Sequence, residues 1–95
     1  METKAENSYE RDYEKCLRQG ILGDKENLEI EKIIYLLKNK MPLEKRHKDH
    51  ALKGDYKGYR DCHISPDLVL VYKIQNDTFY LTRIGRHRDI FKGYS

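Results

Sequence analysis

The residues best suited to acid–base chemistry lie together in the second half of the chain. All four histidines occur after residue 46, and imidazole is the side chain that gains and loses protons most readily near neutral pH. An arginine, a carboxylate and an aromatic residue accompany them, and these groups bind a phosphate, orient an imidazole and stack on a base. The pattern predicts a small metal-free site that cleaves RNA. The candidate catalytic residues are His50, His63, Asp67, Arg83, His87 and Phe91.

Charge is distributed unevenly along the 95 residues, a length that predicts one small domain over residues 1–95. Residues 41–95 carry 11 Lys and Arg against 7 Asp and Glu, a net charge of +4, whereas residues 1–40 carry 8 against 9. The positive excess coincides with the histidines, which suits a polyanion, although ordinary solvated surface is an alternative explanation. The candidate RNA-binding cations are Lys48, Lys53, Arg60 and Arg86.

Cysteine content and hydropathy predict a reduced, cytoplasmic setting. Cys16 lies on a helical apolar stripe and Cys62 in a strand-like run, so both are expected to be buried rather than paired. No apolar stretch approaches the ~20 residues that a membrane span requires, and the polar N-terminus contains no signal-peptide core.

Periodicity predicts an α+β fold in which a two-helix hairpin packs on one face of an antiparallel sheet of three or four strands. Asn7 or Ser8 is expected to cap the first helix, which stops at Gly20. Asp24 is expected to cap the second helix, which Pro42 ends. Strands are predicted over residues 59–64, 68–74 and 78–84, followed by a short helical turn over 86–91. Residues 42–58 form a long polar loop, and residues 1–6 are a weak candidate for an edge strand.

Alternation along the strands predicts which side chains share a face. His63 points opposite to Cys62 and Ile64, so it faces the open side if those two residues face the helices. The last strand is ambiguous, because Arg83 alternates in step with Leu81 and Phe79.

Three motifs resemble the YafQ branch of the RelE-type toxins, which belong to bacterial type II toxin–antitoxin modules. K-D-H-x-L-x-G is present at residues 48–54, and G-Y-R-x-x-H-I-x-P-D at residues 58–67. R-x-G-x-H-x-x-x-F is present as Arg83, Gly85, His87 and Phe91. The chain departs from the branch in having Leu68 where Trp is common, in its polar N-terminal strand, and in continuing over residues 92–95.

The resemblance implies an endoribonuclease that cuts mRNA in the ribosomal A site and needs no cofactor. It also implies a cognate RelB/DinJ-like antitoxin, through which alone the toxin would contact operator DNA. The six candidate catalytic residues occupy the branch's active-site positions. We expect His50 or His63 to act as the general base, His87 as the general acid, Asp67 to orient a histidine and Arg83 to stabilise the transition state. Phe91 is expected to stack on a base or to shape the pocket.

Other interpretations of the same residues lead to different expectations. His47, in a loop rich in Lys and Arg, is expected to be solvated, and Arg60 has structural partners available in Asp49 and Asp61. A zinc site would require His47 and His50 to converge with His63 and His87, and a Cys62–His63 nucleophile has poor geometry because strand neighbours point to opposite faces. A catalytically silent module that binds ribosomal RNA or the antitoxin is the main functional alternative.

Overall fold

The described part of the chain contains three α-helices and five strands. A computed structural model describes residues 1–92, and most of the C-terminal continuation, residues 93–95, lies outside the described residues. The helices are α1 (Asn7–Arg18), α2 (Asp24–Lys38) and α3 (His87–Ile90). The strands are β1 (Glu2–Ala5), β2 (His50–Ala51), β3 (Arg60–His63), β4 (Leu68–Gln75) and β5 (Thr78–Arg86).

The five strands form one mixed sheet in the order β1-β5-β4-β3-β2. The predicted antiparallel meander is β3-β4-β5, and the two-residue β2 extends it from within the predicted loop. The prediction of three or four antiparallel strands was therefore too small, because β2 was not expected, and the weakly predicted edge strand β1 pairs parallel rather than antiparallel to β5. β5 also continues through Gly85 to Arg86, where the sequence predicted a break.

Both long helices have their N-caps one residue before the first predicted cap residue, and α2 also ends earlier than predicted. The N-cap of α1 is Glu6 rather than Asn7 or Ser8. The N-cap of α2 is Gly23, whose N–H donates to the Glu26 side chain at 2.9 Å, and this helix ends at Lys38, ahead of Pro42. Gly20 does stop α1 as predicted, because its φ of +73° is the left-handed conformation that suits glycine at a helix end.

The main core lies between the two long helices, α1 and α2, and one face of the sheet. We call this the helix face. It buries Ile33 and Leu37 of α2, Cys16 of α1 and Cys62 of β3. Cys62 pairs with Leu70 in the neighbouring strand, so Leu70 and every second residue of β4 on either side of it also point to the helix face. The predicted burial of both cysteines is confirmed, and both are unpaired.

The opposite face of the sheet, which we call the open face, carries a smaller apolar cluster. Leu52, Val69, Val71 and Ile90 are buried there, and three aromatic residues pack around them. Those aromatics are Tyr56, Tyr59 and Phe91. The long loop and α3 thus fold over one part of the open face and leave the remainder for polar groups.

A bulge in β5 resolves the ambiguous alternation of that strand. Val71 pairs with Arg83 but the next residue, Tyr72, pairs with Leu81, so Thr82 is an extra residue in the ladder. One extra residue reverses the side-chain alternation beyond it. Leu81 therefore faces the helices, whereas Arg83 points to the open face.

Helix α1 covers the edge of β5 where β1 no longer pairs with it. The Ser8 hydroxyl donates to the Thr82 carbonyl (2.6 Å), and the Ile84 N–H donates to the Asp12 carboxylate (3.2 Å). The Cys16 thiol lies 3.8 Å from the Ile84 carbonyl. These three side chains recur every four residues, so they form one stripe on the helix that satisfies strand-edge groups.

No helix among residues 1–92 combines the length and the apolar character needed to cross a membrane.

Candidate active site

A buried carboxylate lies at the centre of the candidate site. Asp61 of β3 is 1% exposed and points to the open face, where His50, His63 and His87 surround it with potential positive charge. Burial raises the pKa of Asp61, and the three histidines oppose that rise. Within residues 1–92 neither carboxylate oxygen has a hydrogen-bond donor. Buried polar groups without partners are rare and often mark a functional site.

His50 is held by its Nδ1 atom. This nitrogen lies 2.7 Å from the carbonyl oxygen of Lys48 and 3.2 Å from Oδ1 of Asp61. The Lys48 carbonyl can only accept a hydrogen bond, so Nδ1 carries the proton, and the Asp61 oxygen lies within ion-pair distance of the ring without forming a hydrogen bond to it. In the neutral ring Nε2 then has an unprotonated lone pair, and the side chain is about half exposed. His50 is therefore in the tautomer that can accept a proton at Nε2.

His63 and His87 face each other, with ring centroids 6.1 Å apart. The ring of His87 continues to Phe91 at 4.7 Å, and Phe91 meets Tyr56 edge-on at 5.8 Å. The structure therefore brings His63, His87 and Phe91 together, as the sequence suggested. It adds Tyr56, which was not among the candidate site residues.

Arg83 joins the same row of side chains through Tyr56. Its Nη1 donates to the Tyr56 hydroxyl at 3.3 Å. On its other side Nε and Nη2 donate to the two carboxylate oxygens of Asp12, at 2.5 and 3.2 Å. Those hydrogen bonds raise the pKa of Arg83, and a guanidinium retains its charge at any physiological pH.

Asp67 contacts this group through its backbone rather than its carboxylate. Its carbonyl accepts a hydrogen bond from the His87 N–H at 3.1 Å and so fixes the start of α3. The carboxylate is exposed and lies 3.7 Å from Arg86. A side-chain contact with a histidine was expected of Asp67, and the buried Asp61 occupies that place instead.

The four predicted RNA-binding cations are dispersed. Lys48 directly precedes the site and supplies the carbonyl that orients His50. Arg60 pairs across the sheet with Tyr72, on the helix face, and donates to Asp49 at 3.3 Å. Arg60 therefore lies on the opposite face of the sheet from the histidines. Lys53 is exposed and Arg86 partly exposed.

The expectation that His47 is solvated was wrong. Its side chain is about 1% exposed and its Nε2 lies 2.8 Å from Glu29 of α2. Although burial opposes it, the hydrogen bond with His47, together with the charges of Arg46 and Lys32, lowers the pKa of Glu29. His47 thus belongs to a loop-to-helix contact, and residues 1–92 contain no cluster of three or more His, Cys, Asp or Glu placed to hold a metal ion.

A groove of about 390 Å³ adjoins His63. The residues that line it include Arg46, His47, Lys48, Ser65 and Pro66.

The Cys62 thiol does not take part in this site. It is fully buried on the helix face, and burial raises its pKa. Leu68 is also buried there, so replacing it by tryptophan would not place an aromatic ring beside the histidines.

Comparison with known proteins shows the family to which this arrangement belongs. Residues 1–92 match the family described as a bacterial toxin of type II toxin–antitoxin systems, YafQ. The mRNA interferase toxin YafQ of Escherichia coli strain K12 is 38% identical over 74 residues, which cover 74% of this chain and 80% of that protein. The chain belongs to the YafQ family of type II toxins. The YafQ-type toxin that the three motifs predicted is therefore confirmed. The named relative is an mRNA interferase, which is the enzyme class expected of this chain.

Solved structures support the same assignment for this YafQ-family toxin. A copper-bound mutant toxin from Helicobacter pylori is 35% identical, with a TM-score of 0.84 and coverage of 96% of this chain and 99% of that one. YafQ from the DinJ–YafQ complex of E. coli is 30% identical, with a TM-score of 0.78 and coverage of 95% and 96%. The predicted α+β, RelE-like fold class is confirmed.

Proposed function

We propose that this toxin is an endoribonuclease that cleaves mRNA by attack of the 2′-hydroxyl on the adjacent phosphodiester, without a metal ion. The observation that supports this function is the convergence of three histidines around the buried Asp61, with Arg83 on the same face of the sheet. Two proton-transfer groups and one cation are the requirements of that reaction.

His50 is the proposed general base. Since its Nδ1 donates a proton to the Lys48 carbonyl, Nε2 is available to take the proton of the 2′-hydroxyl. The 2′-oxygen then forms a bond to phosphorus. The buried carboxylate of Asp61 stabilises the imidazolium that results, because an opposite charge 3.2 Å away favours the charged ring.

His87 is the proposed general acid. Breaking the bond from phosphorus to the 5′-oxygen leaves an alkoxide, which takes a proton from His87, and the products are a 2′,3′-cyclic phosphate and a 5′-hydroxyl. Arg83 binds the non-bridging oxygens as negative charge develops on them. Phe91, whose ring lies 4.7 Å from that of His87, stacks on a neighbouring base.

We further propose that cleavage takes place in the ribosomal A site and that a DinJ-like antitoxin neutralises the toxin. The relative from E. coli forms a DinJ–YafQ complex. The net charge of +4 over residues 41–95 suits ribosomal RNA, and an antitoxin that masks this surface should present acidic side chains.

The decisive experiment maps the ends of a translated mRNA after incubation with the toxin, with and without ribosomes. A 2′-deoxynucleotide at the mapped position is the matched control. We expect 2′,3′-cyclic phosphate ends that require the ribosome and vanish with the deoxy substrate. Binding without cleavage would instead establish the silent RNA-binding module, and cleavage of the deoxy substrate would exclude the 2′-hydroxyl as nucleophile.

A further inference from the structure

We propose that Asp12 of α1 is a positioning residue for RNA cleavage, and that it acts by fixing the guanidinium of Arg83 in the orientation that receives the phosphate. The inference rests on the proposed role of Arg83. It extends the site to the first helix, 71 positions away in the sequence.

The contact between Asp12 and Arg83 has the geometry of a bidentate pair. Nε donates to Oδ2 at 2.5 Å and Nη2 donates to Oδ1 at 3.2 Å. Two parallel hydrogen bonds define the plane of a guanidinium as well as its distance from the partner. On the far side the Tyr56 hydroxyl accepts from Nη1 at 3.3 Å.

The guanidinium retains donors for a ligand after these contacts are made. It has five N–H groups, and three of them are used by Asp12 and Tyr56. One N–H remains on each terminal nitrogen. Two donors on adjacent nitrogens are the fork that binds two oxygens of one phosphate.

Asp12 is itself held in place, which a positioning residue requires. Its side chain is 16% exposed, and its Oδ2 accepts a second hydrogen bond from the Ile84 N–H at 3.2 Å. That N–H belongs to the residue after Arg83 on β5. The carboxylate therefore ties the backbone and the side chain of the same short segment to one helix.

A purely structural role for Asp12 has different consequences. Ser8 and Asp12 both bridge α1 to the same edge of β5, but only Asp12 also contacts the guanidinium. Ser8→Ala is therefore a matched control, since it removes a helix-to-strand hydrogen bond without touching Arg83. If α1 matters only as a cover for the strand, both substitutions will have the same effect on cleavage.

The test is a double-mutant cycle of single-turnover RNA cleavage with Asp12→Asn, Arg83→Ala and the double variant. We expect Asp12→Asn to reduce the cleavage rate at saturating RNA about tenfold or more while RNA binding is undiminished, because an amide can accept only one of the two hydrogen bonds that fix the plane of the guanidinium. We expect the double variant to be no slower than Arg83→Ala, and Ser8→Ala to cleave at the wild-type rate.

Three outcomes would overturn the inference while leaving the function intact. These are a double variant much slower than Arg83→Ala, equal losses in Ser8→Ala and Asp12→Asn, and a loss in Asp12→Asn confined to binding. A wild-type toxin that cleaves no RNA would refute the proposed function itself. Should Asp12→Asn fail to fold, hydrogen exchange at Nε of Arg83 in the wild-type protein decides: protection supports the fixed guanidinium, and rapid exchange contradicts it.

Discussion

Oδ1 of Asp61, in a carboxylate that is almost fully buried, lies 3.2 Å from Nδ1 of the half-exposed His50. The two residues pair directly across β2 and β3, so the register of these strands sets their separation. An aspartate at this position places a negative charge beside the ring that the proposed mechanism protonates, and it also penalises the fold because its charge is buried.

We predict that Asp61→Asn separates activity from stability. The substitution keeps the shape of the side chain but removes the charge that stabilises an imidazolium, so the single-turnover cleavage rate should fall about tenfold or more. Quench-flow or gel assays at saturating RNA would measure this. A variant that cleaves as fast as the wild type would show that Asp61 has no part in the reaction.

The same substitution should stabilise the protein at neutral pH. Because burial raises the pKa of Asp61, the folded state binds this proton more tightly than the unfolded chain does. The resulting loss in the free energy of unfolding is absent below the pKa of aspartate in the unfolded chain, about 3.9, and is complete above the raised pKa of Asp61 in the folded protein. Thermal unfolding should therefore show a higher Tm for Asp61→Asn at pH 7 and no difference near pH 3. A lower Tm at pH 7 would contradict this.

The two proposed proton-transfer residues should be dispensable for RNA binding. His50→Ala and His87→Ala are each expected to reduce cleavage by about 10²- to 10⁴-fold, the usual contribution of a general acid or base. Filter binding should show almost unchanged affinity. His47→Gln is the matched control, since this histidine contacts Glu29 outside the cluster, and its folded fraction should cleave normally. Parallel losses of binding and cleavage would refute the catalytic roles.

Glu29→Gln should change stability with the opposite dependence on pH. The pKa of Glu29 is lowered despite burial, so its ionised form stabilises the folded state. This contribution is present above the unfolded pKa of about 4.3 and is lost as the pH falls through the lower folded value. We expect a reduced Tm at pH 7 that converges with the wild-type Tm in strong acid. A constant difference at all pH values would exclude the ion pair as its cause.

Chelation should leave cleavage unchanged. The proposed reaction uses histidines and arginine for every proton and charge, so EDTA treatment followed by assay in metal-free buffer should give the wild-type rate. The copper-bound toxin from H. pylori makes the complementary measurement useful. Adding copper or zinc to the chelated protein should not accelerate the reaction, and activation would show that a metal takes part.

Much of this architecture could be predicted because its signals are local. Helical spacing and strand alternation located the two long helices and the three main strands, and alternation alone placed His63 opposite Cys62. The strand β1 was predicted only weakly, since its polar sequence becomes a strand through parallel pairing with β5, more than 70 residues away.

The parts of the site that could not be predicted depend on non-local packing. Asp61 resembles an ordinary surface carboxylate in sequence, and its burial follows from the loop and α3 closing over the open face. His47 resembles a solvated loop residue until α2 brings Glu29 against it. Asp12 could have been suspected only from its four-residue spacing with Ser8 and Cys16, which carries no information about β5.

The extra residue in β5 reverses which face the odd-numbered side chains occupy. Before Thr82 these residues, such as Phe79 and Leu81, pack in the core, and after it Arg83 points to the open face. Deleting one residue there would remove the bulge, and the side chains on one side of the deletion would then point to the wrong face of the sheet. Such a protein would lose core packing and the proposed chemistry in a single step, so this strand should tolerate conservative replacements far better than a change in length.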